Sequence, residues 1–173
     1  MHALVDGDLA DLLRAFRRHA GADDSQPSPV SVEVTRLARF TNLATTASSL
    51  TIALDEPVDF GGRGDAPDPA EYLLAAIGAS LSVTLTAHAA LRSLAMMRIS
   101  VSLKGEIDGR SFFEPRVWTR TGLLETQVAI KMAGSFSKLE ARALLAEAVK
   151  ACPVLQSLRR RPRISLNFER TPA

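Results

Sequence analysis

The stretch DPAEYLLAAIGASLSVTLTAHAAL, Asp68 to Leu91, decides the reading of this chain. After Glu71 it carries no formal charge for about five helical turns, yet it is rich in hydroxyls and small residues. Its start has the signature of a soluble helix. Asp68 stands at the N-cap and Pro69 at the first helical position, with Glu71 placed to reach back as in a capping box. The length would allow a membrane span. Ser80, Ser82, Thr84, Thr86 and His88 make it only weakly apolar, and alanine outnumbers leucine. We therefore read a helix that is apolar all round because protein surrounds it, with no membrane as partner. In so short a chain one set of strands covers one side at most, so a second helix or a second subunit must cover the rest.

The remainder fits one domain of 173 residues. Leu9, Leu12, Leu13 and Phe16 fall at helical spacing and predict an opening amphipathic helix. GADDSQPSP then reads as a linker, which divides the chain into a helical extension with its linker (1–29) and a main domain (30–173). Alternation of apolar residues predicts strands through Val30, Val32 and Val34, through Leu50, Ile52 and Leu54, through Ile99, Val101 and Leu103, and through Val128, Ile130 and Met132. A last strand is expected through Ile164, Leu166 and Phe168. DEPVDFGGRGDAPDP is a Gly- and Pro-rich loop without a phosphate-loop pattern. GRSFFEPRVWTRTG is expected to hold a turn and a further strand. SKLEARALLAEAVKA is a second helix with its own capping box, Ser137 to Glu140, and CPVLQSL a short helical turn. Runs of strands separated by helices make the class α+β with a mostly antiparallel sheet.

Composition narrows function. The chain is 46% hydrophobic, 23% charged and only 5% aromatic, with a formal net charge of +2. So small a surplus leaves no footprint for nucleic acid, and base-stacking platforms are scarce. One cysteine, Cys152, excludes an internal disulfide and a closed cysteine metal site within one chain. No His, Cys, Asp and Glu spacing suggests a metal site, and no cofactor motif is present. The N-terminus is not a secretory signal, so a cytoplasmic location is the default. RRRPR, Arg159 to Arg163, reads as a solvated turn before an edge strand.

Two motifs now carry a resemblance. DPAEYLLAAIGASLSVTL resembles the central helix of the OsmC/Ohr family, where a phrase like Asn-Pro-Glu-x-Leu leads through an Ala-rich turn to a cysteine. ACPVLQSL resembles the same family's second cysteine motif, and the DEP…GG…P approach to the helix also fits. The resemblance covers roughly Val30 to Phe168. It implies a strongly bent antiparallel sheet and a long buried central helix, in an intertwined homodimer. It also implies kinship with thiol peroxidases that reduce organic hydroperoxides. There a cysteine thiolate attacks the O–O bond, a second cysteine resolves the sulfenic acid to a disulfide, and an arginine and a glutamate hold the thiolate.

Carried over residue by residue, the reactive-cysteine position falls on Ser80 and the resolving-cysteine position on Cys152. The family's glutamate falls on Ala70, one residue before Glu71. Arg36, Arg39 and Arg63 are candidates for the arginine, and Glu71 and Thr84 are further candidates for the pocket. An aliphatic hydroxyl is not appreciably ionised near neutral pH without a base partner, nor does it climb the sulfenic ladder. On this alignment the two-thiol cycle does not run.

Alternatives stand beside these roles. Ser80 is either a structural member of an i, i+4 ladder with Thr84 and His88 or a hydrolytic nucleophile. For the latter, His88 is about 12 Å away by rise along the same helix, too far without help from the other subunit. Cys152 is either a thiolate favoured by a helix starting at Pro153 or a small buried hydrophobe. Two functions follow. One is a silent member of the family that binds a lipid-like or aromatic small molecule beside Ser80. The other is a hydroperoxide reductase using Cys152 with an external thiol.

Overall fold

The computed structural model describes residues 6–20, 27–113, 122–160 and 162–170. The chain opens with α1 (Asp6–Ala20) and continues into three strands, β1 (Val32–Ala38), β2 (Thr41–Thr46) and β3 (Thr51–Leu54). A short 3-10 turn (Val58–Phe60) leads to α2 (Pro69–Leu91). Then follow β4 (Met96–Ile107), the single turn α3 (Arg110–Phe113), β5 (Leu123–Gly134), α4 (Lys138–Ala151) and α5 (Pro153–Arg160). The strands form two antiparallel sheets, β1-β2-β3 and β4-β5.

The two long helices begin where their caps demand. Asp68 Oδ1 accepts the N–H groups of Ala70 (2.6 Å) and Glu71 (2.9 Å), and Glu71 Oε2 accepts the N–H of Asp68 (3.1 Å). Ser137 and Glu140 form the same reciprocal pair at the start of α4. Each satisfies donors that a helix start leaves without partners.

One side of α2 is fully covered by its own chain. Leu85 and Ala89 pack with Leu144 and Ala148 of α4, flanked by Ile99, Ile130 and Met132 of the two-stranded sheet. Ile77 and Leu81 pack with Cys152, flanked by Val101, Leu103, Val154 and Leu155. Gly78 allows the close approach of helix and sheet, since a Cβ there would lie 2.8 Å from Leu103 Cδ1. The opposite stripe, Ala75, Ala76, Ala79 and Val83, is exposed. By length and composition α2 is a helix able to cross a membrane. The buried residues along one face instead make it the core helix of a folded domain.

Several expectations need correction. Among the described residues 162–170 no strand forms, and Ile164, Leu166 and Phe168 are 78–92% exposed. Their alternation is real, but a strand exists only when paired, and among the described residues no strand of this chain pairs with them. CPVLQSL opens a helix of 8 residues rather than one turn. β2, TNLATT, carries no apolar alternation that would predict a strand, yet it is the central strand of its sheet and pairs with both neighbours. Leu12 and Phe16 of α1 are exposed, while Leu9 and Leu13 are partly covered. Val128 lies 41% exposed, whereas Ile130 and Met132 reach the core. GRSFFEPRVWTRTG contains α3 at its start; residues 114–121 lie outside the described residues, as do residues 21–26 of the expected linker.

The Gly-rich loop is tied down by one buried carboxylate. Asp55, 1% exposed, accepts the N–H of Arg63 (2.9 Å) and of Asp65 (3.4 Å), and the Thr41 hydroxyl (3.4 Å). Burial pushes its carboxyl upward. The N–H groups of Arg63, Glu56 and Asp65 and the Thr41 hydroxyl together outweigh that and hold it below its ordinary 3.8. A group whose folded pKa is depressed contributes stability above its unfolded pKa, and that contribution is lost as pH falls through the folded value. We expect Asp55→Asn to be less stable than the parent at pH 7 in urea titrations, with the gap narrowing below about pH 4. A gap of equal size at pH 7 and at pH 2.5 would contradict this role.

Candidate functional site

Ser80 lies on α2 one residue before Leu81, so the helix turn that buries Ile77 and Leu81 also sets Ser80 beside the end of α4. Cys152 caps α4 in extended backbone and immediately precedes α5. Its N–H donates to the Ala148 carbonyl (2.8 Å), and its own carbonyl accepts from Gln156 (3.0 Å). This continuity fixes the side chain, which is fully buried. The Cys152 thiol donates to Ser80 Oγ at 3.2 Å. Two residues 72 apart in sequence are thereby in direct contact, and Ser80 itself is only half-buried.

The Thr84 hydroxyl donates to the Ser80 carbonyl at 2.7 Å, the i, i+4 back-bond expected of a helical threonine. Thr86 does the same to Ser82 at 2.9 Å. His88 does not extend the ladder. Its Nδ1 lies 3.5 Å from Glu147 Oε2 of α4, and Glu147 also pairs with Arg92. The imidazole is thus turned toward the α2–α4 seam, and the hydrolytic arrangement of Ser80 with His88 has no geometric support.

The other candidates are dispersed within the chain. Glu71 is occupied by its capping box. Arg36 lies exposed on β1, and Arg39 sits in the β1–β2 turn with φ 48°. Arg63 is exposed and reaches Asp55 through its backbone N–H. Among the described residues no group of His, Cys, Asp and Glu is arranged to hold a metal ion.

A concavity lies away from Ser80, at the start of α2, and no sequence motif marks it. A cavity of about 330 Å³ opens where the β1–β2 turn, the Gly-rich loop, the start of α2 and the end of β4 with α3 converge. Phe40, Phe60, Phe112, Phe113 and Ile107 line it, together with Glu56, Asp68 and Ala70. Its lining comes from four separated segments, so no local motif announces it.

Complete burial of Cys152 makes a definite kinetic statement. A thiol reagent should modify the native chain at least about tenfold more slowly than the urea-unfolded chain, because access requires local opening. Equal rates would mean that the thiol is open to solvent in the native state.

The sequence pattern of the OsmC-like protein family matches residues 62–167. The fold is similar to an OsmC-like protein from Mycoplasma pneumoniae (TM-score 0.67, 16% identity, 78% of this chain and 89% of that one). It is similar to an organic hydroperoxide resistance protein OsmC from Legionella pneumophila (TM-score 0.62, 18% identity, 78% and 92%). It also resembles an organic hydroperoxide resistance protein from Elizabethkingia anophelis (TM-score 0.61, 17% identity, 78% and 91%). At these identities the structural likeness speaks for the fold alone. A comparison with curated protein sequences gives no match. The family pattern spans α2, both strands of the second sheet, α4 and α5, and on that ground the chain belongs to the OsmC-like family.

Proposed function

We propose that this chain is a homodimeric, cytoplasmic OsmC-family protein in which the hydroperoxide-reducing cycle is silent, and which acts by binding a small molecule, with a role in stress. The observation that carries this reading is the 3.2 Å contact between Cys152 Sγ and Ser80 Oγ. It is the juxtaposition a two-thiol cycle requires, with an alcohol in place of one thiol. A hydroxyl is too weakly acidic to supply the soft nucleophile that attacks an O–O bond. The remaining thiol is fully buried, which weighs against Cys152 acting alone with an external thiol. Ala70, where relatives carry a glutamate, adds nothing to hold a thiolate.

The reading has a direct enzymatic test. With cumene hydroperoxide and a dithiol reductant, we expect no turnover above the protein-free rate, and the appearance of turnover in Ser80→Cys. Wild-type turnover that disappears in Cys152→Ala would establish the single-thiol reductase instead. If Ser80→Cys stays inactive, Ser80→Cys combined with Ala70→Glu separates a missing carboxylate from a wrong site.

The dimer rests on uncovered apolar surface. Every residue of β1 is exposed, the stripe Ala75, Ala79 and Val83 of α2 is open, and Ile164, Leu166 and Phe168 alternate without pairing to any strand among the described residues. Small residues on that helical stripe suit close helix packing, and the alternating tail suits an edge strand on a second copy. Sedimentation at micromolar concentration should give twice the 18.6 kDa of one chain. A stable monomer would remove the dimer from the proposal.

A further inference from the structure

The cavity at the start of α2 has a chemistry that the Ser80 site does not. Ala70 and Ser80 are ten residues apart on one helix, about 15 Å along its axis. The cavity's volume of about 330 Å³ is that of a small-molecule site. Three of its rings form one cluster. Phe60 and Phe113 stack at 6.1 Å, Phe60 and Phe112 meet edge to face at 6.3 Å, and so do Phe112 and Phe113 at 5.0 Å. Phe40 completes the lining. Gly109 lets the Phe60 ring in, since a Cβ there would lie 2.9 Å from Phe60 Cζ. Phenylalanine rings offer no hydrogen-bond donor or acceptor of the ordinary kind. What they offer a ligand is apolar surface and a negative face.

The charged groups are of one sign. Among the described lining residues the ionisable ones are Glu56 and Asp68, both acids. Arg110, on the neighbouring turn, directs its guanidinium to both oxygens of Asp108 and does not line the cavity. The start of α2 would ordinarily attract an anion. Here its donors are spent. Asp68 accepts the N–H groups of Ala70 and Glu71, Glu71 accepts that of Asp68, and Pro69 has none. The helix end thus presents a carboxylate where an anion would otherwise dock. Burial, with the charges of Asp68 and Asp55, pushes the Glu56 carboxyl upward. A cation placed beside it would relieve that repulsion.

From this combination we propose that the cavity binds a hydrophobic organic cation, an ammonium group on an aromatic or alkyl body, with the body against the phenylalanine rings and the charge toward Glu56 and Asp68. The idea goes beyond the silent-site reading and does not depend on it, since no thiol takes part in the binding.

The test is a ligand series of similar size and differing charge, followed by NMR on protein carrying labelled phenylalanine: benzyltrimethylammonium, benzyl alcohol and phenylacetate. The cation should bind about tenfold more tightly than the alcohol, with phenylacetate weakest and with shifts at Phe60, Phe112 and Phe113. Glu56→Gln should weaken the cation about tenfold while leaving benzyl alcohol unchanged. Phe113→Leu, which alters an exposed ring and leaves the core intact, should weaken the cation more than the alcohol. Equal affinity for cation and alcohol, preference for phenylacetate, or no shift at millimolar cation would overturn the proposal. The last result would also follow if a second copy filled the cavity, and it counts against the proposal in the same way. Peroxide turnover is not read in any arm, so the two ideas fail separately.

Discussion

A helix with no formal charge between Glu71 and Arg92 is not soluble on its own, and the rest of the fold follows from covering it. The chain meets that demand on one side with two layers. The two-stranded sheet supplies Ile99, Val101 and Leu103 at alternate positions, and α4 supplies Leu144 and Ala148 one turn apart. Burial of this kind is the dominant favourable term in folding. It is also sensitive to shape: a Cβ at Gly78 would force the Leu103 side chain to shift. The same packing determines the site. Once Leu81 and Leu85 face α4, the helical turn places Ser80 at the end of α4, and Cys152 closes the lower cluster with its sulfur against the hydroxyl. A thiol suits that place because it packs as a small hydrophobe and still donates weakly to an oxygen.

How much of this was legible in the chain depended on whether the signal was local. Caps were: Asp68–Glu71 and Ser137–Glu140 satisfy their own helix ends, and both stand as the spacing predicts. Alternation was legible where one sheet face meets the core, as in β4. It failed in β2, TNLATT, whose threonines hide a strand that lies between two others. It misled at Ile164–Phe168, because a strand is a relation between two segments and a sequence displays only one of them. Family resemblance singles out Ser80 and Cys152, but their contact spans 72 residues that no periodicity connects. The phenylalanine cavity was invisible for the same reason. Phe40, Phe60, Phe112 and Phe113 are each unremarkable in their own segments and acquire meaning when four connections converge.

Taken with the proposed silent site, the local substitutions make joint sense. A reactive thiolate needs a positive neighbour to lower its pKa and a carboxylate to hold that neighbour. An alcohol in its place needs neither, because it stays neutral. Ala70 and the dispersed arginines Arg36, Arg39 and Arg63 are then what the chemistry of an alcohol permits. Ala70 lines the phenylalanine cavity, where a glutamate would add a third carboxylate to Glu56 and Asp68. Three like charges in so small a volume would repel one another strongly, the more so because Glu56 already feels both burial and its acidic neighbours. The alanine at position 70 thus links the start of the helix to the Ser80 position near its middle. On the silent-site proposal it omits a group that a thiolate site would need, and it leaves Glu56 and Asp68 as the acids among the described residues lining the cavity.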